Sequence, residues 1–273
     1  VTNTILITGA SSGIGRATAK HFHTQGWNVV ATMRAPDRET ELSQLERVLV
    51  TRLDVQDTAS IAAAVTAGLA RFGRIDALLN NAGYGAYGPL EATPLETLRR
   101  QFDVNVLGVL ATTKALLPHF RAQRAGTIVN VSSMGGRITF PLGTAYHGSK
   151  FAVEGLSEAL HFELGPLGVR VKIIEPGAIK TDFAGRSFDF SNDATLAEYQ
   201  PLVQTLFSAL GPMMANAAAP ELVAEAIFHA VTDGTSQLRY EVGADAVQLL
   251  AGRRAADDAT FLGGVKAQFG LGG

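Results

Sequence analysis

Ile5-Leu6-Ile7-Thr8-Gly9-Ala10-Ser11-Ser12-Gly13-Ile14-Gly15-Arg16-Ala17-Thr18-Ala19-Lys20-His21-Phe22 reads as a short aliphatic strand, a glycine-rich turn and a helix. Trp27-Asn28-Val29-Val30-Ala31-Thr32 follows at once as a second apolar run. Together they make a βαβ unit, and so a parallel sheet. Glycines at such a turn let the backbone bend sharply and approach a pyrophosphate, whose charge the N-terminus of the next helix favours. The spacing is Gly-x3-Gly-x-Gly rather than Gly-x-Gly-x2-Gly. A bare glycine turn can be only a structural connection, but the flanking strand and helix favour the nucleotide reading.

Working outward, the alternation continues. Val48 to Leu53 is a third strand ending at Asp54-Val55, and Ile61 to Phe72 has helical spacing. Ile75 to Leu79 is a fourth strand, closed by Asn80-Asn81-Ala82-Gly83. A long helical pattern runs from Leu95 to Phe120, and Thr127 to Val131 is a fifth strand ending in Ser132-Ser133-Met134-Gly135-Gly136. A helix then carries Tyr146, Phe151, Leu156, Leu160 and Leu164. Val169 to Glu175 is a sixth strand, cut off by Pro176-Gly177 because Pro cannot continue a central ladder. Glu221 to Val231 is helical, Leu238 to Val242 reads as a seventh strand, and the tail from Ala244 to Phe269 looks mostly helical. The expected fold is α/β: a doubly wound, Rossmann-type parallel sheet of about seven strands with helices on both faces. One domain over 1–273 is expected, with an insertion at 182–220 and a helical tail at 244–273.

Composition narrows the function. Hydrophobic residues make up 47% of the 273 and charged residues 18%, enough for a large buried core. The formal net charge of −2 offers no electrostatic case for nucleic acid or an anionic membrane surface. With no cysteine, disulfides, thiolate metal sites and cysteine nucleophiles are excluded, and no other metal site is read. Val1 to Ile7 already reads as strand, leaving no room for a targeting peptide, and no apolar run reaches the roughly 18 residues of a membrane span. A cytoplasmic protein acting on a small, roughly neutral molecule is expected.

Several residues carry candidate chemistry. The second strand ends in Thr32-Met33-Arg34 with no acid until Asp37. An acid there would bind a ribose 2′-hydroxyl, whereas Arg accommodates a 2′-phosphate, so charge favours NADP over NAD unless Arg34 is merely a solvated surface residue. Asp54 lies at the ligand-binding edge of the sheet, or else caps the next helix near Asp57. Asn80 and Asn81 suit a turn that bonds its own backbone. Asn105 is a poor interior helix former, which invites either a functional role or that of a satisfied core polar group. Tyr146 and Lys150 stand one helical turn apart on one face, where an ammonium favours a phenolate. On an exposed helix such a pair is also ordinary. From Thr181 to Pro220, Phe183, Phe188, Phe190, Leu206, Phe207, Met213 and Met214 either line an apolar pocket or form a hairpin that only packs on the body.

Thr8-Gly9-Ala10-Ser11-Ser12-Gly13-Ile14-Gly15, Asn80-Asn81-Ala82-Gly83 and Tyr146-x3-Lys150 together resemble the motifs of the short-chain dehydrogenase/reductases. The resemblance runs over nearly the whole chain. It implies an Asn105-Ser133-Tyr146-Lys150 tetrad, with Ser133 rather than Ser132 chosen by its spacing of 13 residues before Tyr146. Tyr146 would exchange the proton as hydride passes between cofactor and carbonyl carbon, and Ser133 would hold the carbonyl oxygen. Lys150 would bind the nicotinamide ribose and depress the Tyr146 pKa, and Asn105 would position a relay water. The implied cofactor cleft comprises Gly9, Ser11, Ser12, Gly13, Ile14, Gly15, Arg34, Asp54, Val55, Asn81, Ala82, Gly83, Pro176, Gly177, Ile179 and Thr181, with Tyr146 and Lys150. The second strand end looks like that of the NADP-preferring hydroxysteroid and retinol dehydrogenases, suggesting a hydrophobic ketone, aldehyde or secondary alcohol. A homo-oligomer, dimer or tetramer, is expected. The competing reading is an NADP(H)-sensing binding protein on the same fold, without turnover.

Overall fold

The computed structural model describes residues 2–271 apart from Phe183, Ala184 and Arg186. Seven parallel strands form the central sheet: β1 (Thr4–Ile7), β2 (Asn28–Met33), β3 (Val48–Arg52), β4 (Ala77–Asn80), β6 (Gly126–Val131), β7 (Val169–Pro176) and β9 (Arg239–Val242), in the order β3-β2-β1-β4-β6-β7-β9. β1, β2 and β4 are buried along their whole length, as largely apolar strands covered by helices on both faces are. Ile5 pairs with Val29 on one side and Ala77 on the other, so the strand order reverses at β1 and the chain parts above the β1–β4 carboxyl ends. Ligands bind at such a switch point.

Each face has its own core. On one, Phe22 of α1 (Gly13–Thr24) meets Trp27 at 5.1 Å between ring centres, and both belong to a cluster with Val223 and Ile227 of a late helix (Pro220–Thr232). On the other, Ile61 and Val65 of α2 (Thr58–Phe72) pack with Leu116 and Phe120 of α4 (Gly108–Gln123) and Leu164 of α5 (Thr144–Leu164). Asp57, not Asp54, caps α2: its carboxylate accepts from Ala59 and Ser60 N–H at 3.0 and 3.1 Å.

Two features depart from the sequence reading. The pattern expected as one helix over Leu95–Phe120 is α3 (Leu95–Phe102) and α4, joined by a π turn at Asp103–Leu107 that contains Asn105. The wider turn lets Gly108 press against Val55, where a Cβ would lie 2.8 Å from the valine side chain. Second, β5 (Gly85–Tyr87) pairs in parallel with β8 (Phe188–Phe190), a small sheet outside the main one that ties the insertion to the body. The insertion continues into α6 (Gln200–Ala215), and the helix at Pro220–Thr232, α7, returns the chain to the sheet. The tail is α8 (Ala244–Ala255) and α9 (Asp258–Gln268). Among the described residues, no helix is long and apolar enough to cross a membrane.

Candidate active site

The cleft begins where β1 hands over to α1. Gly9 and Gly13 have φ of +71° and +52°, and a Cβ on Gly15 would lie 2.3 Å from the Gly9 carbonyl, so only glycines let the turn close. Asn81, at the end of β4, donates its carboxamide N–H groups to Thr8 O at 3.0 Å and Gly9 O at 3.1 Å. The Thr8 hydroxyl accepts from Asn81 and Ala82 N–H, both at 3.0 Å. Asn81 therefore holds the two strand ends in place. Ser12 makes no side-chain cap and the first turn of α1 contains no acid, so the helix turns its positive end to the cleft. That arrangement fits the pyrophosphate of a dinucleotide.

A cavity of about 610 Å³ runs from this turn across the sheet edge to Tyr146. All the candidate residues line it except Gly15 and Asn105. Arg34 is exposed at its rim, in no ion pair among the described residues. The nearby acid Glu39 is committed elsewhere: it pairs with Arg16 and accepts from Glu41 and Leu42 N–H at 2.9 and 2.8 Å. Asp54 lines the cavity and accepts from Gln56 N–H at 3.1 Å.

At the other end, the strand-end loop after β6 brings Ser133 to the first turns of α5. The Ser133 hydroxyl accepts from Gly135 N–H at 3.0 Å and hydrogen-bonds the Tyr146 phenol. Burial pushes the phenol above its ordinary value, and the Ser133 bond opposes that rise by favouring the phenolate. The expected depression by Lys150 does not govern: its ammonium points to the Val131 carbonyl, 2.9 Å away, and lies 5.9 Å from the Tyr146 ring centre. Burial brings Lys150 itself down to about 8, against the pull of the Glu154 carboxylate.

Asn105 is buried behind the cavity wall, in the π turn. Its carboxamide N–H groups go to Tyr84 O at 2.8 Å and Ser149 Oγ at 3.4 Å, and its oxygen accepts from Tyr84 N–H at 3.1 Å. The side chain is thus committed to fastening the segment after β4 onto the π turn and α5.

Sequence reasoning named Phe188, Met213 and Met214 on the wall around Tyr146 but missed Tyr84, Tyr87 and Arg100. Tyr87 of β5 stacks on Tyr146 with ring centres 5.2 Å apart, and burial, then the neighbouring Tyr146, raises its phenol well above the usual value. Phe188 of β8 lies 5.2 Å beyond Tyr87, and Arg100 sits 4.7 Å above the Tyr84 ring and 3.6 Å from Asp189. The only signal was an aromatic in each of two three-residue segments. Of the insertion's apolar residues, Phe188, Met213 and Met214 line the cavity, whereas Phe190 and Phe207 pack on each other at 4.8 Å. Phe183 lies outside the described residues.

The short chain dehydrogenase family model matches residues 3–192. An uncharacterised oxidoreductase of Schizosaccharomyces pombe is 47% identical over 244 residues, 88% of this chain and 100% of that protein. Among solved structures, a short-chain dehydrogenase from Streptomyces avermitilis superposes with a TM-score of 0.83 at 35% identity, covering 99% of this chain and 98% of that one. ElxO with NADP bound gives a TM-score of 0.75 at 26% identity, covering 91% and 100%. Fold, motif positions and these likenesses agree: the chain belongs to the short-chain dehydrogenase/reductase family of oxidoreductases.

Proposed function

We propose that the protein transfers hydride between NADP(H) and a hydrophobic ketone, aldehyde or secondary alcohol, with Tyr146 as general acid and base. One observation carries the reading: the Tyr146 phenol, bonded to Ser133 and beside Lys150, lines the same cavity as the glycine turn at α1. NADPH, when bound, supplies the hydride. The chain supplies the rest. The α1 N-terminus and Gly9 to Gly13 hold the pyrophosphate, and Arg34, exposed at the rim and unpaired among the described residues, takes the 2′-phosphate. Similar structures hold either cofactor, NADP in ElxO and NADH in a 3-ketoacyl-(acyl-carrier-protein) reductase of Brucella melitensis, so the choice rests on Arg34.

Tyr146 gives its proton to the carbonyl oxygen during reduction and takes it back during oxidation. Ser133 holds that oxygen and stabilises the charge growing on it. Lys150, brought down to about 8, exchanges protons near neutral pH and so restores the phenol. Asn105 keeps the surrounding backbone in place. Tyr87, Phe140, Phe188, Met213 and Met214 surround the substrate end with apolar surface, which supports a hydrophobic substrate. The exposed Leu107, Leu110, Phe151 and Phe162 around α4 and α5 support a homo-oligomer.

Steady-state turnover on a panel of steroid, retinoid, aliphatic, aromatic and sugar carbonyls, with NADPH and with NADH, tests the reading. Apolar carbonyls should react and NADPH should be preferred. Arg34→Ala should narrow that preference by about tenfold, the worth of one charge-assisted contact. A parent enzyme that prefers NADH contradicts the role given to Arg34. No turnover with any carbonyl, joined to a partner bound only with cofactor, would favour the sensing protein instead.

A further inference from the structure

We propose that His147, which the mechanism does not use, is a positioning residue that pins the segment from Ser133 to Phe140 onto the Tyr146 helix and so sets the substrate-side wall. The proposal rests on the hydride-transfer reading above for its effect on turnover, but its geometry stands alone.

His147 is buried, and both ring nitrogens are spent on one loop. Nε2 lies 3.0 Å from Phe140 N, and Nδ1 lies 2.9 Å from Gly135 O. A peptide N–H can only donate, so Nε2 is the bare accepting nitrogen. Nδ1 then carries the proton and donates to the Gly135 carbonyl. The ring is a neutral tautomer bridging two points of the loop five residues apart.

The loop is shaped to receive this ring. A Cβ on Gly135 would lie 2.9 Å from Nδ1, and a Cβ on Gly143 2.5 Å from Cδ2, so glycine at both positions admits the imidazole. Leu142, between Phe140 and Gly143, holds φ at +62°, and its carbonyl accepts from Gly88 N–H at 2.8 Å. A non-glycine residue at that angle persists only where its surroundings hold it.

The pinned points bear on the site. The Gly135 N–H is the donor that fixes the Ser133 hydroxyl, which in turn bonds Tyr146. The Phe140 ring lines the cavity with its centre 5.9 Å from that of His147. Releasing the clamp would loosen one wall and the aim of Ser133 while leaving the glycine turn untouched.

A proton on Nε2 would face the Phe140 N–H and break the clamp. Burial holds the imidazole below its ordinary value, with the Gly135 bond opposing, and the titratable rings facing it are Tyr87 at 6.1 Å and Tyr146 at 5.5 Å. The clamp is therefore closed at neutral pH and opens in acid.

His147→Leu removes both bonds, whereas the terminal amide of His147→Gln places an oxygen near the Nε2 position, able to accept from Phe140. Each variant is compared with the parent for substrate KM and kcat, NADPH Kd by fluorescence, and amide hydrogen exchange at Phe140. The leucine variant should raise KM about tenfold, as expected for losing a buried hydrogen bond, leave NADPH Kd within about twofold, and exchange faster at Phe140. The glutamine variant should recover most of both effects. A leucine variant with parent-like KM and Phe140 exchange overturns the proposal, as does a glutamine variant no better than leucine. Should the leucine variant fail to fold, the glutamine variant decides: the parent's rise in KM in acid should be absent from it, and its persistence overturns the proposal. A parent with no turnover speaks against the hydride-transfer reading only, because the exchange at Phe140 still tests the clamp.

Discussion

At Lys150, folding and chemistry pull in opposite directions. An ammonium brought from water into the cavity wall loses hydration, and its pKa falls from 10.5 to about 8. Between those values the unfolded chain binds the proton and the folded one has released it, so this group makes stability rise with pH across that window. Below pH 8 its full cost is present. Lys150→Met should therefore be more stable than the parent at pH 7 by about 1–3 kcal/mol, with the advantage shrinking from pH 8 to 10.5. Urea denaturation of both proteins across that range checks the sign, and a parent-to-variant gap independent of pH would refute it. The same variant should lose turnover, because its side chain can neither hold a ribose hydroxyl nor pass a proton. The family resemblance pointed to Ser133 rather than Ser132, and it is Ser133 that hydrogen-bonds Tyr146. The electrostatics of the site were not legible in the sequence. Whether an ammonium depresses a neighbouring phenol depends on distance and burial, neither of which a spacing of four residues specifies.

Among the elements, the π turn at Asp103–Leu107 does what a regular helix could not. It places the Asn105 carboxamide against both backbone groups of Tyr84 while Gly108 stays in contact with Val55. Asn105→Ala would leave the buried Tyr84 N–H without its partner, while the Tyr84 C=O keeps the Gln101 amide at 3.1 Å, at a cost of about 1–3 kcal/mol. Urea unfolding should show that loss; a change under about 0.5 kcal/mol would mean that the clasp is not structural. Apolar periodicity announced the helix on each side of the turn but not the turn, because one extra residue per turn changes the hydrophobic pattern very little. The β5–β8 pair was hidden for a different reason. Its strands are three residues each and about a hundred apart in sequence, so neither has a local signature and each forms only because the other is delivered to it. Tyr87, which stacks on Tyr146, was invisible for the same reason.

At the scale of the molecule, the alternation of strand and helix gave the class of fold directly, since parallel strands require crossovers and crossovers require helices on the faces. The strand order places the β1–β4 parting beside the glycine turn, which joins the cofactor cleft and Tyr146 in one cavity. The outer surface supports a prediction of its own. Phe162 is 72% exposed on α5, and Leu107 and Phe151 are exposed nearby in the same pair of helical segments. Sedimentation equilibrium should give a mass of at least two 28.7 kDa chains, and Phe162→Asp should shift it toward one. A monomeric parent would refute the assembly. The catalytic account is tested most directly by Tyr146→Phe, measured with NADPH and the best carbonyl of the panel, which removes the phenol oxygen and keeps the ring against Tyr87. Turnover should fall by about 10²- to 10⁴-fold with NADPH Kd within about threefold of the parent; turnover within tenfold of the parent would contradict the assignment of Tyr146 as the acid and base.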